Sequence, residues 1–232
     1  MTLGILGRKK GLTQIFDENG IVITVTVIEA GPCTVIQRKT TKIDGYNAIQ
    51  VGFGAIRPAL LTKAMRQRFE KLKLACLRDL KEFRVSNVDD FAVGQTITVA
   101  GFKPGDSVDV QGVTKGRGFQ GVMKKEGKHG GPDGHGSGFH RRPGSIGMRT
   151  WPGKVLKNMG MPGRMGAEQV MIRHLSVVDV KLEENLILVK GSVPGHREGL
   201  VVIFNREADF ESRFKQEAAP SIEAPQPQEA PV

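Results

Sequence analysis

Residues 113–166 constrain the fold of this chain more than any other stretch of the sequence. They contain fifteen of the thirty glycines, and they carry eleven lysines and arginines against one aspartate and one glutamate. Each glycine loses much conformational entropy on folding and contributes no side chain to a core. The segment is therefore predicted to form no independent domain, and we expect something outside it to organise it.

The sequence on either side of this segment has the pattern of β-strands. Two β-branched runs flank the sequence DENG, in which Asn-Gly favours a hairpin turn. Further strand patterns occur in TVIQRKT, YNAIQVGFG, SVDVQGVT, QVMIRHLSVVDV, NLILVK and GLVVIF. Short strands at this spacing are typical of a small barrel or sandwich, so the fold class is predicted to be mainly β.

Two segments depart from the strand pattern. Residues 58–82 are rich in Leu, Ala, Lys, Arg and Glu at roughly helical spacing, which predicts a helical insertion. The tail from about residue 215 consists mostly of Pro, Ala, Glu and Gln, and it is expected to be disordered because it has little to bury. The predicted organisation is a β-barrel core at 1–112 and 167–205, a central extension at 113–166 and a C-terminal segment at 206–232.

Charge narrows the choice of partner. Lysine and arginine exceed aspartate and glutamate by ten, and the pI is near 9.8, so the chain attracts polyanions. The N-terminus lacks the apolar run of a secretory signal, and no later run is long enough to span a bilayer. Cys33 and Cys76 have no CxxC spacing, which favours buried reduced thiols. These features predict a cytosolic protein that binds nucleic acid.

Two small-ligand interpretations of the glycine-rich segment are weak. Gly116, Gly118 and Gly121 match GxGxxG after a predicted strand, but more glycines and a proline occupy the place of the helix that a dinucleotide site needs. A metal site could draw on four residues, but their spacing matches no common zinc motif and a glycine-rich loop holds ligands poorly. Those four are His129, Asp133, His135 and His140. We predict no cofactor and no metal.

RNA fits the segment better. Lysine and arginine neutralise phosphates, glycines let the backbone approach the sugar-phosphate chain, and flat side chains such as Phe119, Phe139 and Trp151 can stack on unpaired bases. The sequence contains no helix-turn-helix, basic zipper or Cys2His2 pattern, so DNA is not the expected partner. A long basic loop suits an irregular folded RNA.

Four separated motifs resemble those of one protein family, and they occur along the chain in the same order as in that family. LGILGRKKGLTQIFDENG, VDVQGVTKGRGFQGVMKK, HRRPGSIGMRTWPGKVLKNMGMPGRMG and NLILVKGSVPG together resemble the large-subunit ribosomal protein family numbered three, in its bacterial-length form. The resemblance covers about residues 1–205. It implies a translation-protein-type β-barrel with an inserted helical part. It also implies a central extension through 23S rRNA toward the peptidyl transferase centre, with binding near the 3′ end of that RNA early in assembly.

The resemblance also implies the site. The tip of the extension would lie around GSIGMRTWPG, and the partners would be 23S rRNA and neighbouring large-subunit proteins in cytoplasmic ribosomes, with no membrane and no DNA. The residues predicted to contact rRNA are Arg8, Lys9, Lys10, Lys115, Arg117, Phe119, Lys124, Lys125, Lys128, His129, His135, His140, Arg141, Arg142, Arg149, Thr150, Trp151, Lys154, Lys157 and Arg164.

The tip departs from the family pattern at one position, and one alternative function stays open. Some bacterial members carry an N-methylated glutamine in a GSIGQNQTPG-like tip, whereas the matching position here is Thr150, which has no side-chain amide nitrogen to methylate. The alternative function is an RNA chaperone or processing factor that acts transiently outside the ribosome. An enzyme is not predicted, because the sequence suggests no grouping of nucleophile, base and orienting residue.

Overall fold

The hairpin predicted from DENG is present in the structure, a computed structural model that describes residues 3–206 and 210–215. Strands β1 (Gly4–Phe16) and β2 (Val22–Ala30) pair antiparallel, with Phe16 opposite Val22. The Asp17 amide donates to the Ile21 carbonyl at 2.9 Å and closes the turn. Gly20 has a φ of 72°, a conformation that glycine adopts without steric cost.

Most of the remaining chain is also strand, which confirms the predicted fold class. The other strands are β3 (Cys33–Lys39), β4 (Ala48–Ala55), β5 (Leu77–Arg84), β6 (Thr96–Ile97), β7 (Ser107–Val113), β8 (Gly118–Gln120), β9 (Gly163–Met165), β10 (Gln169–Lys181), β11 (Leu186–Lys190) and β12 (Leu200–Asn205). The helices are α1 (Thr41–Asp44), α2 (Lys63–Leu72), α3 (Val122–Glu126) and α4 (Phe210–Lys215), with 3-10 turns at Pro58–Leu60 and Val99–Gly101.

Six strands close into an antiparallel barrel in the order β1-β12-β7-β10-β11-β2. Alternate residues point inward, and Ile5, Ile28, Val110, Ile187 and Ile203 have no exposed surface. Closure pairs the strand edges with one another and removes the exposed edges that an open sheet would present. The glycine-rich segment leaves the barrel between β7 and β10.

A second sheet, in the order β5-β4-β3-β6, packs beside the barrel. The strands between residues 33 and 97 therefore form a separate sheet rather than part of the barrel wall. Phe83 of β5 contacts Phe204 of β12 edge-to-face, with ring centroids 5.7 Å apart, so one continuous core joins the two sheets. Helix α2 covers this sheet through the buried Phe69, and Arg68 donates to Gln37 at 2.5 Å.

The helical insertion is shorter than the predicted 58–82. Helix α2 ends where Lys73 takes a left-handed φ of 54°, and the chain from Leu77 forms β5 along β4. The sequence LRDLKEF has helix-forming residues, but pairing with β4 satisfies its backbone and buries Phe83 in the shared core. These tertiary contacts outweigh the helix propensity of the segment, because the propensities of different residues differ by only about 0.5 kcal/mol per residue.

A short C-terminal helix, which the sequence pattern did not predict, packs on the core. Phe210 and Phe214 of α4 are buried, and the ring centroids of Phe210 and Phe102 lie 4.7 Å apart. The ring of Phe214 covers Gly101 so closely that a Cβ there would overlap it. The predicted disorder from about residue 215 falls, beyond Lys215 itself, on residues 216–232, which lie outside the described residues.

The cysteines are free thiols in different environments. Cys33 is buried, its Sγ lies 3.5 Å from the Leu6 carbonyl, and burial raises the pKa of the thiol to about 12. Cys76 is half-buried. Across the described ranges, no helix is long and apolar enough to cross a membrane.

Candidate nucleic-acid interface

The outgoing and returning segments of the extension (residues 113–166) leave the barrel side by side at one end of the β7–β10 pair. The Thr114 amide donates to the Glu168 carbonyl at 2.9 Å, and the Arg117 amide donates to the Met165 carbonyl at 2.9 Å. Strands β8 and β9 continue this ladder outward. Gly166 has a φ of 75° and lies against the Lys115 carbonyl where a Cβ would not fit. The place where the extension joins the barrel therefore requires glycine at this position.

Beyond the ladder, two lysines hold the outgoing and returning chains together. Helix α3 follows β8, and the Lys128 ammonium, just after it, donates to the Gly160 carbonyl at 2.8 Å. Lys125 reaches the Met161 carbonyl at 3.5 Å and pairs with Glu126 at 3.3 Å. Both lysines were predicted to contact rRNA, but in this structure their ammonium groups have partners within the protein.

The outer part of the extension, residues 127–162, contains no helix or strand. A backbone hydrogen bond of 2.8 Å from Gly131 to His140 closes an internal loop. The ring of Phe139 fits against Gly131 and Gly144, where a Cβ would lie 2.5 and 3.1 Å from ring atoms. Phe139 therefore stabilises the loop, and the glycines give it the space to do so.

Nine cationic residues of the extension are exposed, and their side chains make no hydrogen bond or ion pair with the parts of the chain that the structure describes. They lie on both the outgoing and the returning chain. These residues are Lys115, Arg117, Lys124, Arg141, Arg142, Arg149, Lys154, Lys157 and Arg164. Their charges remain available to an external polyanion.

Large apolar side chains are exposed next to these cations. Trp151 is 83% exposed and Phe119 is 76% exposed, so neither belongs to a protein core. Met148 and Leu156, near the tip, are also exposed, and so is Thr150. Apolar surface interleaved with unpaired positive charge is typical of a surface that packs on nucleic acid.

The geometry does not support a nucleotide loop. Of the glycines of GxGxxG, Gly116 lies before β8, Gly118 begins β8 and Gly121 is the N-cap of α3, which has only five residues. A dinucleotide site instead has a long helix between parallel strands, with its N-terminal amides directed at the pyrophosphate. The short α3 was not expected after these glycines, but it does not supply that arrangement.

The histidines of the extension do not form a metal centre. His140 Nδ1 lies 3.4 Å from Asp133 Oδ1, and that carboxylate is almost fully exposed. Within residues 3–206 and 210–215, no three His, Cys, Asp or Glu side chains come together as ligands. His129 and His135 are exposed elsewhere on the loop.

The three cations predicted near the N-terminus contact other residues of the globular part of the protein. Lys9 donates to the Val193 carbonyl at 2.7 Å, and burial, with a smaller effect of Lys115, lowers the pKa of its amine. Lys10 pairs with Glu29 at 2.7 Å, and this hydrogen bond raises the pKa of Lys10. The Arg8 guanidinium lies over the ring of Phe53, 5.7 Å from its centroid.

A second cationic surface, on and around α2, is absent from the predicted RNA contacts because the sequence pattern of this segment predicted only a helix. Five cationic residues there are exposed, and their side chains make no hydrogen bond or ion pair with the described residues. They are Arg57, Lys63, Arg66, Lys71 and Lys73. The signal in the sequence was the excess of Lys and Arg over acids in RPALLTKAMRQRFEKLK.

Comparison with known proteins identifies the family of this chain. The sequence model of the family described as Ribosomal protein L3 matches residues 82–181. The large ribosomal subunit protein uL3 of Carboxydothermus hydrogenoformans is 51% identical over 203 residues, which cover 88% of this chain and 97% of that protein. This chain belongs to the ribosomal protein L3 family.

A second relative supports the same family assignment. The large ribosomal subunit protein uL3 of Desulfitobacterium hafniense is 50% identical over 200 residues, covering 86% of this chain and 94% of that protein. As a member of the L3 family, the chain is a structural constituent of the large ribosomal subunit in the cytoplasm, where it lies among rRNA and other ribosomal proteins. It is not an enzyme, and the alternative of a transient factor outside the ribosome is not supported.

Proposed function

We propose that the extension is an arm that binds 23S rRNA near its 3′ end and reaches toward the peptidyl transferase centre, and that this binding nucleates an early step of subunit assembly. The observation that carries the proposal is the set of nine exposed, unpaired cations along residues 113–166, interleaved with exposed Phe119 and Trp151. Phosphates neutralise the cations, and bases or RNA walls cover the apolar side chains.

The cations divide into two groups with different roles. Those with protein partners, such as Lys9 and Lys128, shape the barrel end and the paired chains of the arm. The nine unpaired cations of the extension contact rRNA. The cations around α2 form a second, smaller RNA contact on the globular part of the protein.

Deletion of residues 118–166 tests this division. The Arg117 amide bonds to the Met165 carbonyl, so the chain on the two sides of the deletion is adjacent and a Gly-Gly linker can join Arg117 to Ala167. We expect the shortened protein to keep the β circular-dichroism spectrum and a cooperative melt, because the buried core lies outside the arm apart from Val122. Its affinity for a 3′ fragment of 23S rRNA, measured by filter binding, should fall at least about a hundredfold, as the loss of several phosphate contacts requires.

A second variant separates charge from folding. The full chain with the nine unpaired cations replaced by glutamine keeps the ladder, Lys125 and Lys128, and it should lose affinity to a similar extent. A 5′ fragment of 23S rRNA of equal length is the control for location. Equal affinity for both fragments, or undiminished binding by the glutamine variant, would show that the proposal is wrong.

A further inference from the structure

The β1–β2 hairpin projects beyond the barrel as a two-stranded ribbon, defined here as residues 11–24. The β1–β12 pairing ends at Arg8, and the β2–β11 pairing ends at Val25. In the described chain, residues 14–16 pair with residues 22–24 of the same hairpin, whereas residues 11–13 pair with residues 25–27 at the edge of the barrel. A Cβ placed on Gly11 or Gly20 would meet no atom within 4 Å. An isolated two-stranded hairpin is only marginally stable in water, so a contact that covers it would stabilise it.

One face of the ribbon is exposed and carries no charge. Directly opposed residues share a face, so Phe16 and Val22 lie together, and Leu12 follows on the same side because side chains alternate along a strand. Their exposed fractions are 75%, 49% and 57%. Gln14 and Thr24 lie between them and are also exposed and uncharged.

The ribbon has a net negative charge, whereas the whole chain has a net charge of +10. No Lys or Arg occurs from residue 11 to residue 37, although the chain has 34 such residues. The charges of the ribbon are those of Asp17 and Glu18 in its turn, which are both exposed. Acidic residues beside uncharged apolar surface repel phosphate and complement a basic protein.

We infer that the exposed face of this ribbon is the docking site for another protein of the large subunit, one that presents an apolar patch flanked by Lys or Arg. Leu12, Phe16 and Val22 pack on the patch, and Asp17 and Glu18 pair with the flanking cations. The ribbon and the arm thus divide the partners of the chain: the ribbon binds protein and the arm binds RNA. The inference rests on membership of the large subunit and does not depend on the proposed RNA contacts.

Photo-crosslinking in assembled subunits tests this inference. Phe16→p-benzoylphenylalanine keeps an aromatic ring at the centre of the face, and the variant chain is incorporated into purified large subunits and irradiated. Mass spectrometry of the product should identify a peptide of another ribosomal protein with Lys or Arg close to the crosslinked position. A crosslink to rRNA alone, a crosslink to a second copy of this chain, or no crosslink would overturn the inference.

Two further variants make the test specific. Trp151→p-benzoylphenylalanine in parallel subunits should give a crosslink to rRNA, so failure of the proposed RNA contact is recorded separately from failure of the ribbon contact. Asp17→Lys with Glu18→Lys should lower the crosslink yield at position 16 about threefold, the effect of losing exposed ion pairs. Glu183→Lys with Glu184→Lys changes the net charge equally in another exposed turn and should leave the yield unchanged. Equal losses from both pairs would contradict the predicted charge complementarity.

Discussion

At the scale of single residues, position in the structure separates side chains of the same type. Lys128 and Lys154 are both in the extension, yet Lys128 donates to the Gly160 carbonyl at 2.8 Å whereas Lys154 is exposed and has no hydrogen bond or ion pair with a described residue. Phe139 and Phe119 differ in degree, because Phe139 packs on glycine backbone and is 41% exposed, whereas Phe119 is 76% exposed. Residue type alone therefore does not identify the RNA contacts.

Trp151 gives a prediction at this scale. Because it is exposed and surrounded by Thr150, Pro152 and Gly153, Trp151→Ala should leave the melting temperature of the free protein within about 1 °C, as is usual for a surface substitution. In the ribosome, the loss of a base stack worth about 1 to 3 kcal/mol should alter subunit activity or its sensitivity to drugs that bind the peptidyl transferase centre. Trp151→Phe, which retains a ring, is the matched control. A marked drop in melting temperature with normal ribosome behaviour would assign Trp151 to the protein core.

At the scale of elements, helix α4 shows how a short segment is fixed by the fold. Its two phenylalanines are buried, and Arg213 donates to Asp106 Oδ2 at 2.7 Å and to the Gly101 carbonyl at 3.0 Å. Asp106 is 4% exposed and also accepts hydrogen bonds from the Lys103 amide and the Asn205 side chain. Asp106 thus connects α4 to the barrel strands β7 and β12.

The Asp106 contact should depend on pH. Burial alone would raise the pKa of Asp106, but the hydrogen bond and charge of Arg213, with the Lys103 amide and Asn205, lower it below its usual value. A lowered pKa in the folded state stabilises the protein above the unfolded pKa, and this stabilisation is lost as pH falls through the folded pKa. Asp106→Asn should therefore lower the free energy of unfolding by about 2 kcal/mol at neutral pH.

Urea unfolding from about pH 7 to pH 2.5 measures this dependence. The difference between the wild type and Asp106→Asn should be constant above about pH 5 and should shrink below about pH 4. Asp89→Asn, at an exposed carboxylate, is the control and should change the free energy of unfolding by less than about 0.5 kcal/mol. A difference that stays constant down to pH 2.5 would show that the charge of Asp106 does not hold α4.

At the scale of the whole molecule, the unpaired cations are concentrated on two surfaces. The extension carries nine unpaired cations, the α2 surface carries five, and the β1–β2 ribbon carries none. RNA affinity should therefore fall steeply with salt, because each neutralised phosphate releases condensed counterions. If six or more cations contact phosphate together, the log-log slope should be about −4 to −5 or steeper, which is about three orders of magnitude of affinity between 50 and 200 mM salt.

Filter binding across that salt range measures the slope. The glutamine variant of the nine cations should have a clearly shallower slope than the wild type, and the slope that remains should come from the α2 surface. Additional replacement of the five α2 cations should remove most of that remainder. A wild-type slope shallower than about −2 would mean that most of the nine cations do not reach phosphate.

The sequence by itself determined the fold class, the DENG hairpin and the existence of a basic extension, because alternation, turn residues and local charge are properties of neighbouring residues. The separate four-stranded sheet, the strand Leu77–Arg84 and the docking of Phe214 on Gly101 were decided only by the tertiary structure. Each depends on contacts between residues far apart in the sequence, and such contacts outweigh local propensity. The same reason explains the partners of Lys9, Lys125 and Lys128: backbone carbonyls brought close by folding bind these ammonium groups, and no local pattern indicates them.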